Sequence, residues 1–143
     1  LCDWSSDVCS SDLADFILFN TTLGASNVDT ITGFNTDSRI ILDRKIFTGI
    51  SATYNGTTAS SIGAVNNSVQ VENNTTGTAS NAATRIIYNT NTGSLFYDQD
   101  GSGSTYSPIE FAKLYSSGTT PYNSNGMVGF NGSNLTSVNI GII

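Results

Sequence analysis

Apolar residues occur along this chain as short clusters between long polar runs, the pattern of brief strands joined by turns. "ADFILFN" at Ala14–Asn20 is a compact apolar run and predicts a buried strand. "VDTITGF" at Val28–Phe34 sets Val28, Thr30 and Thr32 against Asp29, Ile31 and Gly33, and "RIILD" at Arg39–Asp43 follows a polar turn, so two more short strands are expected. Asp43 is placed to N-cap a single helical turn through Arg44, Lys45 and Ile46 that ends near Gly49. Ser51–Ala83 is dominated by Asn, Ser, Thr, Gly and Ala, with Val65 and "SVQVE" at Ser68–Glu72 as its main relief; it reads as a polar insertion loop with one weak strand, inside a single domain. "TRIIYN" and "GSLFYD" then flank Thr90-Asn91-Thr92 and predict a β-hairpin in which Gly93 supplies the positive φ. Beyond the turn "DQDGSGS", "PIEFAKLY" at Pro108–Tyr115 is a clear strand, and "GMVGF" and "SVNIGII" are weaker ones. About eight strands at this spacing predict an all-β domain with at most one short helical turn.

Composition strengthens the all-β reading. Asn, Thr, Ser and Gly number 16, 19, 20 and 14, or 69 of 143 residues, and these are mediocre to poor helix formers. An apolar fraction of 38% with 10% aromatics supports a modest core and argues against disorder. The net charge of −6 disfavours nucleic acid and anionic lipid as partners, and no apolar run approaches the length of a membrane span. The absence of His removes the usual general base and the commonest transition-metal ligand.

Residues 1–13, "LCDWSSDVCSSDL", stand apart, because they hold both cysteines, the only Trp and three of the acids. A Cys2–Cys9 disulfide loop is one reading of them. The stretch from Cys2 to Leu13 also resembles the in-frame translation of a common sequencing adapter, and on that reading residues 1–13 are foreign and 14–143 form the domain. Residues 14–143 contain no cysteine and carry eight acids against five bases, a net charge of −3.

Two blocks of the remaining sequence carry a resemblance. "ADFILFNTTLGASNVDTITGFNTDSRIILDRKIF" at Ala14–Phe47 and "TRIIYNTNTGSLFYDQDGSG…PIEFAKL" within Thr84–Leu114 resemble, in order and wording, the C-terminal region that follows the repeats of RTX-type (hemolysin-type) calcium-binding proteins. In that family the last GGxGxDxUx nonapeptide runs into such a segment. Here Ser10, Ser11, Asp12 and Leu13 stand where its glycines would be, Gly33 replaces a usual Asp, and Ser38 replaces another. The resemblance implies short strands and hairpins capping a parallel β-roll, as a solenoid cap or small sandwich. It also implies a bacterial protein secreted to the extracellular space by type I secretion machinery, with upstream β-roll repeats of the same chain as partner and calcium as the cofactor. On this view Phe16, Leu18, Ile31, Phe34, Ile40, Leu42, Ile86, Tyr88, Leu95, Tyr97 and Phe111 form the apolar cap. The family's export signal, an acid followed by hydrophobics, would fall at "SVNIGII", where Asn139 replaces the acid.

Calcium takes six to eight oxygens, so the candidate ligands are acids in turns. Asp15 occupies the position of the nonapeptide Asp and would complete a site with upstream repeats. Asp98 and Asp100, in Asp98-Gln99-Asp100-Gly101-Ser102-Gly103, resemble the opening of a calcium loop, although Gly101 comes too early for EF-hand spacing and Ile109 occupies the place of its terminal Glu. Asp98, Asp100 and Glu110 are also the acids a small glycoside hydrolase would use, but acids two apart in a turn normally face water. No serine or threonine belongs to a nucleophile motif, and a non-catalytic domain is expected. The aromatics Tyr88, Phe96, Tyr97, Tyr106, Phe111 and Tyr115 are either core or a sugar-stacking platform. The alternative function is accordingly a carbohydrate-binding or adhesive β-domain of a secreted enzyme, dependent on Tyr97 or Tyr106.

Overall fold

The computed structural model describes residues 9–10, 16–35, 37–53, 63–65, 70–122 and 140–143. Twelve strands lie among them: β1 (Cys9–Ser10), β2 (Phe16–Phe19), β3 (Asp29–Thr32), β4 (Arg39–Leu42), β5 (Ala52–Thr53), β6 (Gly63–Val65), β7 (Val71–Asn74), β8 (Ile86–Asn89), β9 (Ser94–Tyr97), β10 (Ile109–Ser117), β11 (Thr120–Pro121) and β12 (Ile140–Ile142). The described residues contain no helix, so the domain is all-β, and none of them forms a helix long and apolar enough to cross a membrane. Asp15, Cys2 and "GMVGF" fall outside the described residues.

The strands form two open sheets. One has the order β2-β4-β12-β6-β5; the other has the order β1-β3-β10-β9-β8-β7, with β11 attached to β10. The first four strands alternate between the sheets, and alternate strands pair in parallel: Cys9 beside Ile31, and Phe16–Phe19 beside Arg39–Leu42. The same winding resumes late in the chain, where β10 lies parallel to β3 and β12 parallel to β4. Between these come antiparallel partners, β5 with β6 and β8 with β9, which occupy the far side of the stack, where β7 pairs in parallel with β8.

Both sheets contribute to one core. Ile17, Phe19, Ile40, Leu42, Ile140 and Ile142 from the first sheet pack with Ile31, Ile86, Tyr88, Leu95, Tyr97, Phe111 and Leu114 from the second. In β2 the inward residues are Ile17 and Phe19, whereas the apolar cap expected from the resemblance included Phe16 and Leu18; Phe16 is 47% exposed. The reason is register, since β4 sets Ile17 beside Ile40 and Phe19 beside Leu42, and a one-residue shift would turn every side chain over. In β3 the buried pair is Asp29 and Ile31. The register of β10 on β9 shifts between Glu110 and Ala112, leaving Phe111 as a bulged residue. Both Phe111 and Ala112 are thereby buried, and Phe111 meets Phe19 and Phe47 edge to face at 5.1 and 5.2 Å.

The local turns follow their sequences. Asp43 Oδ1 accepts from Lys45 N–H at 2.8 Å, and Phe47 N–H donates to Asp43 O at 2.9 Å, closing the one helical turn expected there. The β8–β9 hairpin forms as predicted, with Gly93 at φ 76° and Asn89 Oδ1 accepting from Asn91 and Thr92 N–H. Gly93 also lies so close to β10 that a Cβ there would stand 2.7 Å from Leu114 O. Residues 51–83 contribute three short strands, β5, β6 and β7, where one was expected, and so supply edges to both sheets.

Candidate functional site

The connection from β9 to β10, residues 98–108, holds the acids singled out in the sequence. Asp98 is 2% exposed. Its N–H donates to Arg85 O at 2.9 Å, and its Oδ1 accepts from Asp100 N–H at 3.2 Å and Gly101 N–H at 3.1 Å, an Asx turn that fixes the loop's first bend. Asp100 Oδ2 accepts from Thr105 N–H at 2.9 Å and closes the second bend. Gly101 makes this geometry possible, because its φ is 66° and a Cβ would lie 2.5 Å from Asn81 O and 2.8 Å from Thr84 O. Ser102 N–H donates to Asn81 O at 3.0 Å, so the turn is seated on the 81–84 segment.

That segment is itself anchored. Glu72 Oε2 accepts from Ser80 N–H and Thr84 Oγ1, and Oε1 accepts from Asn74 Nδ2, all between 2.9 and 3.0 Å. Burial pushes the Glu72 carboxyl up, but these hydrogen bonds outweigh it and hold the group below its usual range. Within the 75–80 stretch Gly77 has φ 77°, and a Cβ there would lie 2.9 Å from the Phe96 ring.

Asp98 and Asp100 form a carboxyl pair. Burial above all, and then the adjacent Asp100 carboxyl, raise Asp98; at Asp100 desolvation is the largest single influence, but hydrogen bonds led by Thr105 N–H together outweigh it and lower the group. The two carboxyls belong to one tight turn, in which Asp100 N–H donates to Asp98 Oδ1, and Glu110 lies on β10, 4.0 Å from Lys113 Nζ.

For calcium the turn offers Asp100 Oδ1, which is buried without a hydrogen-bond partner, and the second oxygen of Asp98. That is fewer than the six to eight oxygens calcium needs, and no group of three or more acidic, His or Cys ligands occurs among the described residues. Carbonyls, hydroxyls and water would have to supply the remainder of any cation shell.

Beside the turn lies a hollow of about 360 Å³ lined by Thr78, Ala79, Asp98, Gly101, Ser102, Gly103, Ser104, Tyr106, Ser107 and Pro108. Sequence reasoning found Asp98 and Tyr106 but not the contribution of Thr78 and Ala79; those positions carry no motif, and hydrogen bonds from Asn74 Nδ2 to Thr78 O and from Ser80 N–H to Glu72 fix the segment that holds them. Of the aromatics, Tyr88, Tyr97 and Phe111 are buried in the core, while Tyr106 is 48% exposed. Tyr97 is unavailable to a glycan, because its hydroxyl accepts from Gly49 N–H at 2.8 Å and its ring packs on Phe47. Comparisons of the chain with protein-family models, with curated proteins and with solved structures found no match.

Proposed function

We propose that this domain is a non-catalytic module that closes the end of a parallel two-sheet β-roll in a larger extracellular, calcium-binding protein of the RTX type. The observation that carries the reading is the direction of the stack. On one side β2 is an edge strand paired in parallel with β4, and β3 offers the matching edge of the other sheet, where β1, from the adapter-like residues, adds in parallel; β2, β3 and β4 thus begin a winding that alternates between sheets. A preceding coil of the same winding would add to both edges without changing their geometry. On the other side the antiparallel pairs interrupt the repeat, which is how a cap stops a solenoid from growing. The Asn- and Thr-rich composition and the two sequence blocks that resemble the post-repeat region support the same reading.

In this proposal calcium belongs mainly to the upstream repeats, whose acidic turns repel one another until the ion binds, so that binding energy becomes folding energy. Type I secretion would deliver the chain unfolded to an outside rich in calcium. The test is the natural coding sequence upstream of Ala14 and the circular dichroism of the full-length protein during calcium titration. GGxGxDxUx repeats and a calcium-driven gain of β signal are expected. An upstream sequence without such repeats, or a spectrum indifferent to calcium, would overturn the proposal.

A further inference from the structure

The hollow beside the β9–β10 connection has a chemistry that the capping role does not use. We infer that it is a binding subsite for a neutral saccharide ring, with Tyr106 as the stacking platform. Tyr106 is 48% exposed at the rim of a polar concavity, although 10% of the chain is aromatic and the tyrosines at 88, 97 and 122 are buried. An open aromatic face beside hydroxyls and a carboxyl suits a pyranose, whose C–H face is apolar and whose edge carries vicinal hydroxyls. Ser102, Ser104 and Ser107 supply groups that both donate and accept, and the Asp98 carboxyl adds an acceptor. A volume of about 360 Å³ is at the low end for ligand sites and suits a short stretch of sugar.

Charge narrows the class. Among the described residues neither Lys nor Arg lines the hollow, whereas Asp98 does and Asp100 adjoins it, so sulfated or uronic sugars would meet repulsion with no compensating cation. The platform is also held in advance of binding. The Tyr106 and Thr105 backbone N–H groups donate to Asp100, and Gly101 locks the loop against Asn81 and Thr84, so little ordering remains to oppose association. The inference is independent of the capping role and of calcium.

The test is native affinity electrophoresis of the full chain in gels containing galactomannan, xyloglucan or dextran, with polygalacturonate as the anionic contrast, each with and without EDTA. Retardation by at least one neutral polysaccharide is expected, unaffected by EDTA and absent with polygalacturonate. Tyr106→Ala should weaken the interaction about tenfold or more, and Tyr106→Trp should retain it. The exposed position of Tyr106 predicts unchanged far-UV circular dichroism for both variants. Absence of retardation in every neutral gel, preference for polygalacturonate, or retardation that survives Tyr106→Ala would overturn the inference; if that surviving retardation vanished in EDTA, the hollow would be a cation site instead.

Discussion

Asp29 faces inward beside Ile31, is 8% exposed, and has its carboxyl raised by burial. A carboxyl raised in the folded state favours folding most below its unfolded pKa, and that advantage is lost as pH rises through the folded value. Asp29→Asn should therefore stabilise the domain at pH 7, by about 1 kcal/mol, and leave little change at pH 3. Glu72 has the opposite sign. Its lowered pKa contributes stability above the ordinary glutamate value, and the contribution fades as pH falls through the folded value. Glu72→Gln should cost about 0.5–1 kcal/mol at pH 7 after solvent screening, and nothing under acid conditions. Urea midpoints of the two variants at both pH values decide these expectations. Neither role was legible in the sequence: Asp29 sits in an alternation that reads equally well on either face, and two of the three partners of Glu72 lie eight and twelve residues away in a featureless polar run.

At the scale of elements, the cluster of Phe19, Phe47, Tyr97 and Phe111 joins β2, the turn after β4, β9 and β10. Phe111→Ala removes the bulged ring from its centre and should cost about 3–5 kcal/mol, measured by urea denaturation. Gly93→Ala faces both a positive φ and contact with Leu114 O, and should cost about 1–3 kcal/mol by the same measurement. The β8–β9 hairpin was readable because its signals are local: Gly93 sets the turn and apolar residues flank it. The facing of β2 was not, since all four of its residues are apolar and only pairing with β4 chooses between its faces. Strands β5 and β6 were missed for a related reason. They are two and three residues long and owe their form to partners in the sheet, β6 lying between β5 and β12, and not to their own propensity.

For the whole molecule, fold class was legible from composition and spacing, whereas the sheet order was not, because it depends on pairings between distant parts of the chain. One core shared by both sheets predicts one cooperative transition, with far-UV circular dichroism and tyrosine fluorescence coincident during denaturation. Separate transitions would mean that the sheets unfold independently. The position of β12 bears on the order of events during synthesis. It occupies an interior place between β4 and β6, although β4 ends at Leu42 and β12 begins at Ile140. Until residues 140–142 emerge from the ribosome, β4 and β6 lack their common neighbour and the first sheet exists only as two incomplete halves. A nascent chain is thus kept from closing this sheet early, and β12 acts as a keystone that ties completion of the sheet to synthesis through this segment.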